Sequence, residues 1–575
     1  MFFTTDHKTL DMFDPLPRLG PKRKELMTKS WAHLFREQIL PELPVQKLLT
    51  KYHAFNGRPT KELHAMVGLM ILQQLNDLTD LEAVRQFAFN LEWHYALDIK
   101  GDSDTETYVS VRTLLTMRKL LSEEGLAEEL FATVTEKLVT LFKVDASRQR
   151  LDSTHIFSNM RHLGRIGLFA ATIKKFLVNL KRGNREIFDA LDSTRFERYL
   201  KKSAAVFALV KPSESAPTLQ GLAEDLFFLV VRYKDHEQIR ELSSYKLLAR
   251  LLREQCVLQS ATSDATDQKV VLKPNKEISS DSLQNPSDPD AGYSGHKGKG
   301  YQVQLMETYT TTEKHELSLI THVAVEPANV SDVHGLIPAI ESTQQRGLGP
   351  RQVVADTLYG SDKNSLEAAA LGVDLVAPAL GKPTGEKLGL EDFSFDANGT
   401  VITCPQGVAP VKTTCTESGN RRAIFDRAAC VDCPVFLRCP ARIGEGGFEI
   451  NYDQKQLRLL SRRAEEKTTE FMDTYRFRAG IEASISRYKS QTGVKRLRVR
   501  GLAAVTFSAV LKAIALNILR AAAFSLRTAG PQGLRGKHFL DVADHSFALG
   551  WLAAIWDTLR DAFRGTSRPS VVVMC

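Results

Sequence analysis

Apolar residues recur at helical spacing throughout the first quarter of the chain. In residues 62–75, 80–89, 111–121 and 125–142 they stand three and four positions apart, which predicts amphipathic helices. The first two of these helices are joined by only four residues, NDLT at 76–79. Such a pair is typical both of a DNA-binding helix-turn-helix and of an ordinary helical hairpin, so the pattern alone leaves both interpretations open.

Beyond residue 147 the apolar pattern changes to that of β-strands, and helical spacing resumes between and after them. The predicted strands cover residues 150–157, 301–310, 317–326, 352–356 and 373–378, and the predicted helices cover residues 332–343, 364–371, 453–488 and 502–526. This order predicts an α/β core with a mixed sheet. Two insertions interrupt it, a helical segment with a polar loop (160–296) and a Gly- and Cys-rich segment (381–452).

The composition is that of a globular protein and excludes a fibrous or wholly disordered chain. Of 575 residues, 43% are hydrophobic and 25% charged, and the net charge of +8 is too modest to identify a partner. The most apolar segment, 501–526, is interrupted by Lys512, Asn517 and Arg520, which favours a buried helix over a membrane span. Since residues 1–20 also lack the apolar run of a secretory signal, we expect a cytoplasmic protein without a membrane partner.

A pattern of four polar residues stands out in the segment YRFRAGIEASISRYK. Its members are Tyr475, Arg478, Glu482 and Lys489, with the spacing Y-x2-R-x3-E-x6-K. On one continuous helix, these side chains fall within a stripe about 60° wide. Alone, this spacing is more typical of a solvated helix face with an Arg–Glu pair. However, residues 475–500 contain eight basic residues and this single acid, so Glu482 is placed to hold a divalent cation while its neighbours meet phosphates.

The same pattern resembles, at all four positions, the signature around the last acidic residue of bacterial insertion-sequence DDE transposases. LDST at 151–154 is similar to their first-Asp strand, and VVADTLYGS at 353–361 is similar to their second-Asp motif. KGYQVQL and EPANVSD are similar to the strand and helix-start segments between those motifs. The resemblance covers about residues 50–525 and implies a ribonuclease-H-like core.

The catalytic triad that the resemblance implies is Asp152, Asp356 and Glu482, with Mg²⁺ or Mn²⁺ as the cofactor. Phosphoryl transfer on DNA uses two such ions to activate the nucleophile and to stabilise the leaving group. Carboxylate oxygens suit these hard cations. Taken singly, each aspartate also fits a helix cap or a turn residue, so the assignment depends on the order of all three.

The basic residues near the triad form the expected DNA-binding surface. By the resemblance, Arg478 and Lys489 contact terminal DNA phosphates, and Tyr475 packs beside them. Lys495, Arg496 and Arg498 form a basic run that we expect to follow the DNA backbone. A run of this kind is also typical of a solvated surface.

Four cysteines in the second insertion have the spacing of a zinc site. Cys404, Cys430, Cys433 and Cys439 form C-x25-C-x2-C-x5-C, and four thiolates suit tetrahedral Zn²⁺. Such a closed site is structural and stabilises a segment too small to have its own core. Cys415 is an alternative ligand, and reduced thiols without metal are the other interpretation.

The resemblance implies a Mg²⁺-dependent DNA transposase that cuts at insertion-sequence ends and joins the 3′-hydroxyls to target DNA. Its partners would be double-stranded terminal inverted repeats and target DNA. A homodimer or larger assembly would pair the two ends, in the nucleoid region of the cytoplasm. Two alternatives stay open: a catalytically inactive DNA-binding descendant, and a nuclease with the same core but no strand transfer.

The predicted domains follow from these assignments. They are a helical DNA-binding or dimerisation region (1–147), a ribonuclease-H-like core (148–159, 297–380 and 453–527), a helical insertion and loop (160–296), a Cys-rich zinc insert (381–452) and a C-terminal tail (528–575).

Overall fold

Two units make up the chain, and each is assembled from segments that lie far apart in the sequence. The first comprises Met1–Lys143, Ser486–Val494 and Leu511–Cys575, and the second comprises Val144–Ile485 and Lys495–Val510. The computed structural model describes residues 2–8, 19–53, 56–57, 59–123, 125–200, 210–260, 268–311, 316–381, 387–417 and 419–528. The predicted C-terminal tail, apart from Thr528, lies outside the described residues.

Helices dominate the first unit. They are α1 (Pro21–Thr28), α2 (Trp31–Leu34), α3 (Gln46–Leu49), α4 (Leu63–Leu75), α5 (Asp80–Phe89), α6 (Leu91–Ala96), α7 (Asp104–Thr107), α8 (Val111–Glu123) and α9 (Leu126–Phe142). A π-helix (Phe35–Ile39) and a 3-10 helix (Leu40–Glu42) follow α2. The four helices predicted from apolar spacing are confirmed as α4, α5, α8 and α9.

The turn between α4 and α5 is fixed by a capping box. The Thr79 hydroxyl accepts a hydrogen bond from the Glu82 backbone N–H (3.3 Å), and the Glu82 carboxylate accepts one from the Thr79 N–H (2.8 Å). This reciprocal pair satisfies two backbone donors that the first turn of a helix leaves free. Helix α4 buries eleven of its thirteen residues, so it is a central helix of this unit.

The second unit contains all the named strands. They are β1 (Arg148–Phe157), β2 (Cys256–Ser260), β3 (Gln268–Leu272), β4 (Gly292–Ser294), β5 (Gly298–Thr308), β6 (Ile320–Pro327), β7 (Gln352–Ala355), β8 (Asp374–Val376), β9 (Ser394–Phe395), β10 (Val401–Thr403), β11 (Lys412–Cys415), β12 (Arg421–Phe425), β13 (Arg442–Gly444) and β14 (Gly447–Tyr452). The helices beyond β1 are α10 (Arg165–Gly183), α11 (Arg185–Asp189), α12 (Ser193–Leu200), α13 (Ser215–Tyr233), α14 (Glu237–Arg240), α15 (Ser243–Gln255), α16 (Leu336–Gln345), α17 (Asp362–Ala370), α18 (Arg427–Val431), α19 (Gln454–Glu465), α20 (Thr469–Tyr475), α21 (Ala479–Thr492) and α22 (Leu502–Thr528).

A mixed six-stranded sheet is the main element of the second unit. Its order is β4-β5-β1-β7-β8, and β6 also pairs with β5. Strand β1 is antiparallel to β5 and parallel to β7, and β7 is parallel to β8. Leu151, Met306 and Val353 from three neighbouring strands pack with Leu336 and Ile340 of α16 in one buried cluster. The expectation of a mixed α/β protein is confirmed.

The two segments predicted as insertions have cores of their own. Helices α10 to α15 and the β2–β3 hairpin enclose a cluster that includes Phe169, Phe176 and Leu248, each fully buried. The Cys-rich segment forms a second sheet with the order β11-β12-β14-β13 and a β9–β10 hairpin. Its small core contains Phe425 and Tyr452.

The segment 453–488 is not the single long helix that the spacing predicts. It consists of α19, α20, a 3-10 helix (Arg476–Arg478) and α21. Thr468 starts α20 afresh, because its hydroxyl accepts a hydrogen bond from the Phe471 N–H (3.2 Å). The prediction of one continuous helix was therefore wrong. Tyr475, Arg478, Glu482 and Lys489 all lie after the break at Thr468, with the 3-10 turn between Tyr475 and α21.

Helix α22 is long and apolar enough to cross a membrane by length and composition, but 72% of its most apolar window is buried inside the protein. Two of its polar residues, Lys512 and Asn517, are buried too. Lys512, 1% exposed, donates to the Asp77 carboxylate at 2.8 Å and to the Gln74 carbonyl at 3.4 Å. A buried ammonium is tolerated only with such partners. The expectation of a buried helix is confirmed.

Candidate active site

The parallel pairing of β1 with β7 brings two of the predicted catalytic residues to one edge of the sheet. Leu151 is the register partner of Ala355, and Asp152 and Asp356 are the next residues on their strands. Because adjacent parallel strands run side by side, both carboxyl groups belong to the same end of the sheet. Asp152 lies within β1, and Asp356 directly follows the end of β7.

The third predicted acid, Glu482, lies in the first turn of α21, and Arg478 connects it to β1. One terminal nitrogen of Arg478 is 2.8 Å from the Glu482 carboxylate, and the other is 3.4 Å from the Asp152 carboxylate. The Asp152 and Arg478 side chains are 13% and 22% exposed, whereas Glu482 is 63% exposed. The guanidinium therefore supplies the positive charge between two acids of the predicted triad.

The two aspartates also make the local hydrogen bonds of turn residues. Asp356 Oδ1 accepts from the Leu358 N–H at 2.9 Å and so caps a 3-10 helix (Thr357–Tyr359). Asp152 Oδ1 accepts from the Ser153 N–H at 2.7 Å. Each carboxylate has a second oxygen, so capping and metal binding are compatible roles at these positions.

Burial and like charge both change the protonation of the two aspartates. Burial raises the pKa of Asp152 to about 6; the Ser153 N–H and Arg478 oppose this rise, and the Asp356 and Asp332 carboxylates add to it. Burial is also the main cause of the raised pKa of Asp356. Carboxyl groups that share a partly buried site repel one another's negative charge, and a bound cation relieves this repulsion.

Asp332 is a fourth acid near this site that the sequence analysis did not assign. It follows β6 in the segment EPANVSD and is 8% exposed. Its carboxylate accepts a hydrogen bond from Gln304 on β5 (3.0 Å) and lies 3.5 Å from the Lys297 ammonium. The sequence indicates only a helix start in this segment. Asp332 could not be assigned from the sequence because its place in the site depends on a contact with Gln304 of β5, 28 positions earlier in the chain.

A buried ion pair anchors the segment that carries Glu482. Glu307 on β5 is 1% exposed, and its carboxylate accepts from Arg150 Nε and from the Ser484 hydroxyl, both at 2.8 Å. Arg150 also donates to the backbone carbonyl of Phe477 (2.9 Å). These bonds attach the start of α21 to the sheet, two residues from Glu482.

The predicted DNA-binding residues are spread over several elements. Tyr475, at the end of α20, stacks on Phe471 with ring centroids 5.6 Å apart. Exposed Lys495 and Arg496 lie over the Phe157 ring, at 5.9 and 5.8 Å from its centroid. Arg498, two residues after Arg496, is exposed as well. Lys489 lies in the part of α21 that belongs to the first unit.

The cysteines predicted to hold zinc lie at the ends of short elements in the Cys-rich segment. Cys404 follows β10, Cys430 is in α18, Cys433 follows α18, and Cys439 follows a 3-10 helix (Phe436–Arg438). Burial raises the pKa of Cys430, and the thiols of the other three add to the rise. Cys415 is exposed at the end of β11.

In the described part of the chain, three potential metal-ligand atoms lie within 4.8 Å of one another at His7, Glu62 and His64. Neither the four thiols nor the carboxylates of the predicted triad meet that spacing among the described residues. Both predicted metal sites therefore stay predictions.

Two family models match the chain. One described as a Transposase DDE domain matches residues 403–522, and one described as Transposase domain (DUF772) matches residues 30–120. No curated protein matches the chain. The first match includes the four cysteines and Glu482, whereas Asp152 and Asp356 precede it; the second includes α4 and α5. Transposases process DNA, so DNA is the partner that these matches imply. They confirm the resemblance of the sequence to insertion-sequence DDE transposases.

Proposed function

We propose that this transposase cuts DNA at insertion-sequence ends and joins the 3′-hydroxyls to target DNA, with Asp152, Asp356 and Glu482 as its catalytic residues. The observation that carries the proposal is the β1–β7 register, which brings the two aspartates to one sheet edge, together with the bridge from Asp152 through Arg478 to Glu482.

The sheet supports a ribonuclease-H-like core. Strands β1, β5 and β6 form an antiparallel meander, and β7 and β8 extend the sheet from β1 in parallel. The order β6-β5-β1-β7-β8 fits the α/β core that the resemblance implies. On this proposal, the helices α10 to α15 and the Cys-rich segment are insertions into that core.

The residues present fit divalent magnesium or manganese. The donors are carboxylates, which hard cations prefer, and two of them are partly buried beside a guanidinium that already balances their charge. When bound, the ions would supply an activated nucleophile and a stabilised leaving oxygen. Asp152, Asp356 and Glu482 would hold them.

The remaining residues act on the DNA itself. Arg478 has a planar guanidinium that suits a phosphate, and the Asp152–Glu482 bridge orients it. Exposed Lys495, Arg496 and Arg498 would bind the backbone, so affinity should fall as the salt concentration rises. Pairing of two element ends requires at least a homodimer, and the substrate places the protein at the nucleoid in the cytoplasm.

The decisive experiment is cleavage of a labelled duplex that carries the element's own ends, with Mg²⁺. Wild type should nick at the end, and Glu482→Gln and Asp152→Asn should bind the duplex without cutting it. Glu470→Gln, an exposed acid in α20, is the matched control and should cut normally. Equal cutting by Glu482→Gln and wild type would contradict the assignment.

The same assay separates the two alternatives. Binding of the ends without cleavage by the wild type would favour an inactive DNA-binding descendant. Cleavage without joined products in a strand-transfer assay would favour a nuclease.

A further inference from the structure

The first described segment of the chain runs beside the segment that leads into α4. Phe3 and Glu62 form a parallel β-bridge, and the Phe3 N–H donates to the Thr60 hydroxyl (2.9 Å). The Thr5 N–H donates to Glu62 Oε1 (3.3 Å). This pairing brings His7 to the start of α4, 55 positions away from Glu62 in the sequence.

Three metal-binding side chains meet at this point. One ring nitrogen each from His7 and His64 and one carboxylate oxygen of Glu62 all lie within 4.8 Å of one another. Glu62 Oε1 is 3.5 Å from His7 Nε2 and 3.0 Å from His64 Nδ1. Around a tetrahedral zinc with bonds of about 2.0–2.1 Å, ligand atoms stand about 3.3–3.4 Å apart. The observed separations lie on either side of this value.

The surroundings of His7 resemble those of a metal-ligating histidine. Its side chain is 3% exposed, and its Nε2 is buried without a hydrogen bond. Its other ring nitrogen, Nδ1, lies 2.8 Å from the carboxylate of Asp98, which is itself 8% exposed. A carboxylate on the far nitrogen fixes the tautomer and the ring orientation of a metal ligand. The remaining nitrogen then faces Glu62 and His64.

We propose that His7, Glu62 and His64 form a binding site for a divalent transition metal, best suited to zinc, and that Asp98 positions His7. Two imidazoles and one carboxylate are a ligand set that zinc accepts, with a fourth position for water. The site shares no residue with the carboxylates of the proposed active site or with the cysteines. It would fasten the first residues of the chain to the start of α4.

A proton on His7 would compete with the metal for this histidine. Burial lowers the pKa of His7, but the carboxylates of Asp98 and Glu62 outweigh it and raise the pKa to about 9. Without metal, the cluster is therefore a network of ion pairs around protonated His7. Metal binding would displace that proton, which is ordinary for histidine ligands.

The first test is the zinc content of the full chain, because the cysteines are proposed to bind zinc as well. The protein is stripped with a chelator, reloaded with Zn²⁺, desalted and measured by mass spectrometry of the metal. Wild type should hold one equivalent more than either His7→Gln or His64→Gln. His33→Gln is the matched control, since His33 is bonded to Tyr95 in the same unit, and its content should equal that of wild type.

The second test does not depend on a histidine variant. A chain with Cys404, Cys430, Cys433 and Cys439 changed to serine should still bind one Co²⁺, with visible absorption but without sulfur-to-metal charge transfer. In that background, Asp98→Asn should weaken Co²⁺ binding about 10- to 100-fold while keeping all three ligands. Asparagine tolerates the positive φ of residue 98, so the backbone is preserved.

Two results would overturn the proposal. One is that the chain with those four cysteines changed to serine binds no Co²⁺, and the other is equal zinc content in wild type and both histidine variants. Either would leave the cluster as an ion-pair network, and neither would affect the assignment of the catalytic acids.

Discussion

Arg478 donates to Glu482 four residues further along the chain, at 2.8 Å, and the same guanidinium lies 3.4 Å from Asp152. A cation of the protein thus occupies the space where two acids of the proposed triad approach each other. The arrangement balances their charge when no metal is bound. The effect of removing the Arg478 guanidinium on stability should therefore depend on whether Mg²⁺ is bound.

Arg478→Gln should destabilise the metal-free chain and make it more responsive to Mg²⁺. Losing the partner of the largely buried Asp152 should cost about 1–3 kcal/mol. Bound Mg²⁺ replaces the missing charge, so the rise in Tm on adding Mg²⁺ should be larger in the variant than in wild type.

Arg476→Gln is the control for that measurement. Arg476 is exposed and lies 3.6 Å from the exposed Asp473, a contact that should be worth less than about 1 kcal/mol. An equal Mg²⁺ response in wild type and both variants would mean that Arg478 does not balance the charge of a metal site.

Glu307→Leu should be among the most destabilising substitutions in the second unit. It leaves the Arg150 guanidinium, 12% exposed, without its main counter-charge, and the Ser484 hydroxyl loses its acceptor. Breaking one side of a buried pair costs about 3–5 kcal/mol. Urea unfolding should show this loss, and DNA cleavage should fall as well, because Ser484 is two residues from Glu482.

The double substitution Arg150→Met with Glu307→Leu tests that explanation. Replacing both charges with apolar groups removes the buried unpaired charge, so the double variant should be more stable than Glu307→Leu alone. If it is less stable, packing rather than charge explains the effect of the single substitution.

Acid should destabilise the second unit through His322. Burial, together with the nearby Arg346, lowers the pKa of this histidine from 6.5 to about 4. Between these values the unfolded chain binds a proton that the folded chain does not, so stability falls as the pH drops from 6.5 toward 4. The loss can reach about 3 kcal/mol.

His322→Leu should flatten this dependence. The substitution also removes a buried Nε2 that has no hydrogen-bond partner, so stability at pH 7 should not fall sharply. The free energy of unfolding is measured at pH 7 and pH 5 for wild type, for His322→Leu and for His162→Leu, a control at an exposed histidine. Equal slopes in all three proteins would show that another group causes the acid sensitivity.

The sequence predicted the helices and strands of this fold better than it predicted the tertiary contacts between them. The strand that contains Asp152 and the strand that precedes Asp356 follow from local apolar runs, which depend only on neighbouring residues. The break at Thr468 was missed because apolar spacing continues across it, and one hydroxyl cap decides where a new helix starts. Asp332 and His7 were missed for a different reason. Each contributes through a contact with a residue far away in the sequence. An isolated bridge such as that between Phe3 and Glu62 produces no periodic pattern in the sequence.

The Cys-rich segment should depend on one zinc ion for its structure. Beyond the effect of burial, the thiols of Cys439, Cys404 and Cys433 raise the pKa of Cys430, and those of Cys433 and Cys404 raise the pKa of Cys439. Cys415, in contrast, is exposed on β11. Cys433→Ser should therefore lower the zinc content by one equivalent and expose residues 387–452 to proteolysis, because a small segment of this kind draws folding energy from its metal. Cys415→Ser should change neither. Loss of zinc from Cys415→Ser, with Cys404→Ser unaffected, would instead make Cys415 the fourth ligand. Unchanged zinc content and proteolysis in Cys433→Ser would mean that the four cysteines are reduced thiols without a metal, of which Cys404, Cys430 and Cys439 pack against a core that includes Phe425 and Tyr452.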